Sequence, residues 1–164
     1  MSVTLILLPI ALAAAAAAGG VGALGATLTA KGKNDSGPAP EIRVRTRMKD
    51  STLLSAALTN LGATSIDVSA TLVTAKIDGV SLTMTLTEDA VWEAHVESLD
   101  GREVTVERAS ELLQRLDGEY ALMVQQAVAQ KIRLRAESSG FDLVSETREA
   151  DDTVTMVLNV RTEA

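Results

Sequence analysis

Three side chains able to bind a metal ion, one of them the only histidine of this 164-residue chain, occupy alternate positions in the sequence. Glu93, His95 and Glu97 are each separated by one residue, so in a β-strand all three point to the same face. Two carboxylates and an imidazole suit a divalent cation, which makes a metal-dependent enzyme one candidate function. The competing interpretation is the solvated face of an antiparallel strand whose other face is apolar. We favour the second interpretation, and therefore expect no catalytic site, no resident metal and no cofactor.

A second set of candidate functional residues is basic. Alternation with apolar residues predicts a half-buried strand that carries Arg43, Arg45, Arg47 and Lys49 on one face. These four side chains could contact anionic lipid headgroups or an acidic partner, because each basic residue near an anionic surface contributes about 1 kcal/mol. They could equally pair with carboxylates on neighbouring strands, where each pair contributes little. The sequence leaves both alternatives open.

Charge and composition exclude several classes of partner and chemistry. The chain has 15 Lys plus Arg against 22 Asp plus Glu, a net charge of −7. Binding to nucleic acid is not expected, because it requires a basic surface. Aromatic residues make up 2% of the chain, so base-stacking platforms are not expected either. The absence of cysteine excludes disulfides and thiolate catalysis.

The N-terminal segment has no charged side chain from residue 3 to residue 30. As a helix it would span roughly 40 Å, enough to cross a hydrocarbon core of about 30 Å. It therefore predicts a single-pass transmembrane helix over residues 1–30. Lys31 and Lys33 follow it, so the positive-inside rule places the remaining chain on the cytoplasmic side of the cytoplasmic membrane. The alternative is a cleaved signal peptide that releases an exported, ligand-binding domain.

Small residues recur within this apolar segment. Ala15, Gly19, Gly22 and Ala26 lie three or four residues apart, which would let two helices approach closely in lipid. They are candidates for transmembrane packing and a homo-oligomer, although a span without specific association fits as well. A G-x-G-x-x-G match at residues 20–25 is not expected to bind a dinucleotide, because it lies inside the apolar run rather than between a strand and a soluble helix.

The remaining sequence predicts a linker over residues 31–40 and an α+β domain over residues 41–164. The predicted order is β-α-β-β-β-α-β-β, a mostly antiparallel sheet with helices on one face. Its markers are a helix cap at Asp50 or Ser51, a hairpin turn at Asp78-Gly79, a long helix from about Thr105 to Ser138 with a kink or break at Asp117-Gly118, and a closing hairpin through Asp151-Asp152.

This pattern resembles an uncharacterised plastid and cyanobacterial family, the hypothetical chloroplast reading frame thirty-five. The resemblance covers most of residues 41–161, and rests on residues 42–50, Leu53, Leu54, Ala57, Leu58, Leu61-Gly62, Asp78-Gly79, residues 112–116, Tyr120-Ala121, Gly140-Phe141 and the closing hairpin. It implies a non-catalytic domain whose relatives are encoded near AAA+ ATPases, and it supplies no catalytic residues. We therefore expect a membrane-anchored interaction or scaffold domain that docks onto a protein partner, an AAA+ ATPase by this resemblance, or that self-assembles.

Overall fold

The computed structural model describes residues 1–9 and 42–161, which form eight strands and two helices. In chain order the elements are β1 Ser2–Leu7, β2 Ile42–Arg45, α1 Ser51–Asn60, β3 Thr64–Val68, β4 Leu72–Ile77, β5 Val80–Leu86, β6 Trp92–Ser98, α2 Val106–Ser138, β7 Phe141–Arg148 and β8 Val154–Val160. The strands form two separate antiparallel sheets, ordered β2-β6-β5-β4-β3 and β1-β8-β7.

The five-stranded sheet is built around hairpins whose inner face is apolar. Asp78 and Gly79 connect β4 to β5 with φ values of +50° and +77°, the conformation that a two-residue hairpin turn requires. Alternate residues of β5 and β6, such as Leu82, Met84 and Ala94, have no exposed surface. This face packs on α1 and on the N-terminal half of α2, which confirms the predicted hairpin and alternation.

Helix α1 begins where the sequence predicts. The carboxylate of Asp50 accepts hydrogen bonds from the backbone N–H of Thr52 at 2.8 Å and of Leu53 at 3.0 Å. These bonds satisfy two of the donors that the first helical turn leaves without partners. The helix buries Leu54 and Leu58 completely, which fixes it against the sheet.

Helix α2 is 33 residues long, about 50 Å, and serves both sheets. The Thr105 side chain caps its first turn, and Gly140, with a φ of +76°, follows its last. Gly118 lies within the continuous helix, so the predicted break at Asp117-Gly118 is wrong. The N-terminal half contributes Leu116 and other residues to the first core, and the C-terminal half covers the second sheet.

The three-stranded sheet joins segments far apart in sequence. Strand β8 lies in the centre, with Ser2 opposite Asn159 and Leu7 opposite Val154 along β1. Within the described part of the chain, its core between this sheet and α2 has four buried members, Leu7, Ala129, Val154 and Met156.

The prediction of a transmembrane helix beginning near the N-terminus is wrong, and with it the predicted single-pass location in the cytoplasmic membrane. Ser2–Leu7 is a strand, hydrogen-bonded to β8 along its length. Across residues 1–9 and 42–161, neither helix has the length and apolar character needed to span a bilayer. Hydropathy was misleading here because an uncharged strand paired with β8 and an apolar helix can share the same composition. Alternate residues Leu5 and Leu7 turn toward the core, whereas Thr4 and Ile6 remain exposed.

The α+β class is confirmed, but the predicted strand order and single sheet are not. Where the predicted order has one strand between the first helix and the Asp78-Gly79 hairpin turn, the structure has two, β3 and β4. They are joined by a turn in which the Ser69 hydroxyl accepts from the Leu72 N–H at 3.1 Å. The small residues Ala15, Gly19, Gly22 and Ala26, the G-x-G-x-x-G match and the linker over residues 31–40 lie outside the described residues.

Candidate functional site

The outer face of the five-stranded sheet, the face turned away from the helices, gathers most of the polar residues that the sequence analysis selected. Antiparallel register places Arg43 opposite His95 and Arg45 opposite Glu93 across β2 and β6. Residues directly opposite one another share a face, so two rows of polar side chains cross the sheet. This outer face comprises Arg43, Arg45, Thr83, Thr85, Glu93, His95 and Glu97.

Arg43 and Arg45 stand at the edge of this face, since β2 is the outermost of the described strands in its sheet. The Arg43 guanidinium lies 4.0 Å from the Glu93 carboxylate, and Arg45 pairs with Asp89 in the turn between β5 and β6. The two arginine side chains are 56% and 50% exposed. Exposed pairs of this kind contribute about 0–1 kcal/mol each, so they hold the arginines in place without burying their charge.

Arg47 does not share the outer face, which corrects the predicted alignment of four cations. Its Nε donates to Asp117 Oδ1 at 2.8 Å and its Nη2 to Asp117 Oδ2 at 2.5 Å, on helix α2 at the opposite side of the sheet. The regular strand ends at Arg45, and the Thr46 hydroxyl accepts from the Met48 N–H at 3.2 Å. This local bond bends the chain and breaks the two-residue period beyond Arg45.

Lys49 belongs to the junction between this bend and α2. Its backbone N–H donates to the Tyr120 hydroxyl at 3.1 Å, and its carbonyl accepts from the Trp92 indole N–H at 3.3 Å. Tyr120 and Trp92 are each 1% exposed. Large aromatic groups with satisfied polar atoms therefore anchor the backbone of Lys49, and the residue is part of the fold's scaffold rather than of the face that carries Arg43 and Arg45.

Glu93, His95 and Glu97 lie on one face as expected, but they do not converge. His95 Nε2 is 2.9 Å from Glu97 Oε1, whereas Glu93 turns toward Arg43. No group of three or more histidine or carboxylate side chains with the geometry of a metal site occurs in the described part of the chain. These three residues instead form a charged patch beside the arginines.

Sequence inspection missed three residues that organise the polar surfaces. Asp89 and Asp117 hold Arg45 and Arg47, and Gln125 is a fully buried amide in α2. The signal for Gln125 was present: it stands between Ala121 and Ala129, four residues from each, on a helix face of otherwise small apolar residues. No comparable signal marks Asp89 or Asp117, because their partners depend on tertiary packing.

Comparison with known proteins returns no match at any of three levels: no protein-family model, no curated protein and no solved structure matches this chain.

Proposed function

We propose that this chain is a non-catalytic interaction domain that binds an acidic protein surface through the arginine edge, defined as Arg43 and Arg45 on β2. The observation that carries the proposal is the placement of two guanidinium groups on one edge strand, half exposed and fixed by neighbouring carboxylates. Two residues apart, they are spaced by roughly 6.6 Å, a distance that two carboxylates of a partner can match. Arginine is enriched in protein interfaces because its planar group pairs bidentately with carboxylates.

Charge complementarity supports an acidic partner. The chain carries a net charge of −7, and the arginine edge presents two half-exposed cations on this acidic chain. Two arginines held at fixed positions favour one docking orientation of a partner whose carboxylates match their spacing. The resemblance to the chloroplast reading-frame family makes an AAA+ ATPase the first class of partner to test.

Photocrosslinking identifies the partner and its position together. A photoreactive residue at Thr85, in the same row as Arg45 and Glu93, should capture the partner in cells of the source organism. The same probe at Gln114, on the exposed side of α2, is the control. Equal capture from both positions would contradict docking at the outer face.

The affinity of the captured and purified partner then tests the arginine edge. Replacing both residues, Arg43→Gln with Arg45→Gln, should weaken binding at least tenfold, which corresponds to about 1.4 kcal/mol. The matched control is Arg102→Gln with Arg161→Gln, which changes the net charge equally at two other exposed ion pairs. If the two double variants bind equally well, net charge rather than the arginine edge determines affinity.

Self-assembly is a second candidate, favoured by β1. This strand has no charged residue and pairs on one side only among the described strands, with Ile6 61% exposed. Uncharged edge strands are templates for pairing with a second copy, and a lysine on the edge prevents it. Sedimentation velocity should show a dimer that Thr4→Lys dissociates; a concentration-independent monomer for the unaltered chain would contradict self-assembly. Signal-peptide cleavage would remove β1, so we do not propose the exported alternative.

A further inference from the structure

A polar cleft of about 310 Å³ lies between the C-terminal half of α2 and the three-stranded sheet. Its polar lining consists of Gln125, Gln126, Gln130, Arg133, Glu146 and Arg148, and it is called the Gln125 cleft below. It lies apart from the arginine edge, on the other sheet. A water molecule occupies about 30 Å³ of liquid, so this space exceeds what one bridging water fills.

Gln125 is an unusual lining residue because it is a polar side chain that is completely buried. Its Nε2 donates to the Leu7 carbonyl at 2.8 Å and to the Asp152 carbonyl at 2.5 Å. These two acceptors fix the orientation of the amide, since a flipped group would place Oε1 against both carbonyls. Among the described residues, none donates a hydrogen bond to Oε1. A buried acceptor left without a donor costs about 1–3 kcal/mol, which a bound donor would recover.

The register of the three-stranded sheet places the charged side chain of Arg148 at the same cleft. Arg148, Val154 and Leu7 are opposite one another across the three strands, and Val154 and Leu7 are buried beneath α2. Because cross-strand neighbours share a face, Arg148 belongs to the helix side of the sheet. Its guanidinium lies 3.6 Å from Asp152, beyond a normal hydrogen bond, and its side chain is 48% exposed. It can therefore approach a ligand while remaining near Asp152.

The other charges in the cleft are already paired. Arg133 Nε donates to Glu146 Oε2 at 2.7 Å, and a second bond joins the same two groups. This pair is neutral as a unit, and Arg148 with Asp152 forms a second, looser pair, so the half-exposed Arg148 is the group that can attract an anion. Gln126 and Gln130 add amide donors and acceptors along α2. The arrangement suits a ligand that bears hydroxyl groups and one negative charge.

We propose that the Gln125 cleft binds a small hydroxylated anion, of the hydroxy acid or sugar phosphate class. A ligand hydroxyl donates to Gln125 Oε1, and the ligand's anionic group pairs with Arg148. The amides of Gln126 and Gln130 hydrogen-bond the remaining hydroxyls. The two carbonyls of Leu7 and Asp152 keep the Gln125 acceptor oriented. Oε1 has less than 1 Å² of accessible surface, so exposed side chains of the lining, such as that of Arg148, must shift for the ligand hydroxyl to reach it.

Nuclear magnetic resonance on the full, ¹⁵N-labelled chain tests this site. The probes are lactate, malate, gluconate and glycerol 3-phosphate, with glycerol supplying hydroxyls without charge and propionate supplying charge without hydroxyls. We expect a saturable shift of the Gln125 side-chain amide signals with at least one hydroxylated anion, and none with glycerol or propionate at the same concentration. Absence of saturation with all four anions, or equal binding of propionate, would show a hydrated cleft and overturn the proposal.

Two variants separate binding from folding. Gln125→Met keeps the side chain's length but removes the acceptor, and it should abolish the saturable shift as followed at the Gln130 side chain. Because this variant also loses two internal hydrogen bonds, the decisive variant is Arg148→Gln, at a half-exposed position. It should weaken the anion at least fivefold, whereas Arg161→Gln, at the opposite end of the same sheet, should leave affinity unchanged. Equal affinity of the two arginine variants would refute the role of Arg148.

Discussion

The five-stranded and three-stranded sheets pack on different halves of α2, but the chain assembles them in different ways. Four strands of the first sheet, β3 to β6, pair in chain order. The second sheet brings Ser2 opposite Asn159, a pairing that waits for most of the chain to be placed. Non-local pairings of this kind form late, because their loop-closure entropy is lost before the contacts are gained.

The two cores differ just as much. The first contains Trp92, Tyr120 and Leu116, all at most 1% exposed, together with residues from every strand of its sheet except β3. Among residues 1–9 and 42–161, the second has four buried members, and its strand β7 is exposed at every position after Phe141. Regions with few buried apolar contacts open at lower free energy than the rest of the fold. The comparison implies that α2 carries a stable half and a half that opens more readily.

The largest expected effect comes from removing core volume in each half. Leu116 and Met156 are both completely buried, one in each core. We expect Leu116→Ala to lower the free energy of unfolding by about 2–5 kcal/mol. Met156→Ala should instead raise local opening of β8 while shifting the main unfolding transition less, because the second core can open separately.

Two probes distinguish these outcomes. Trp92, the only tryptophan, reports urea unfolding of the five-stranded half, and hydrogen exchange in β8 reports the three-stranded half. If Met156→Ala moves the Trp92 transition as far as Leu116→Ala does, the two halves unfold as one unit and the comparison fails.

An intermediate effect should separate two ion pairs that join α2 to its surroundings. Arg47–Asp117 serves the five-stranded half, with side chains 27% and 16% exposed. Arg133–Glu146 serves the three-stranded half, with side chains 44% and 27% exposed. Both are bidentate, so burial is the main difference between them. Double-mutant cycles with Gln and Asn replacements should give a coupling of about 1–3 kcal/mol for the first pair and about 0.2–1 kcal/mol for the second. Equal couplings would show that burial does not set the difference.

Local signals predicted the five-stranded half well. Asp50 caps α1, Asp78-Gly79 forms the hairpin turn, and α2 ends before Gly140, because each of these features is decided by a few neighbouring residues. The alternation of Arg43 and Arg45 with buried residues was equally readable. It failed at Arg47, where a bond from the Met48 N–H to Thr46 bends the backbone and Asp117, 70 positions away, supplies the partner.

The N-terminal error has a different physical origin. An uncharged run such as residues 2–7 has low solubility on its own, and composition alone does not say whether lipid or another strand covers it. The answer depends on β8, whose buried residues Val154, Met156 and Leu158 provide the matching face. Gln125 shows the same limit, since its use depends on two carbonyls contributed by β1 and by the turn before β8. Information distributed over such distances is absent from any local window.

The smallest expected effect is a loss of stability of the three-stranded half at acidic pH. Two hydrogen bonds from Arg133 hold the pKa of Glu146 below its ordinary value of 4.5, and they outweigh partial burial, which acts to raise it. A carboxyl whose pKa is lower in the folded state stabilises the fold above the unfolded pKa, and this stabilisation is lost as pH falls through the folded pKa. Between about pH 7 and pH 3, protection of β7 against hydrogen exchange, corrected for the intrinsic rate at each pH, should therefore decline more in the unaltered chain than in Glu146→Gln. The difference should remain within about 1 kcal/mol, because the pair is partly exposed. Asp151, whose pKa is lowered by the Thr153 N–H at the hairpin turn, remains in both chains and cancels from the comparison. A decline of equal size in both chains would assign the acid sensitivity of this half to groups other than Glu146.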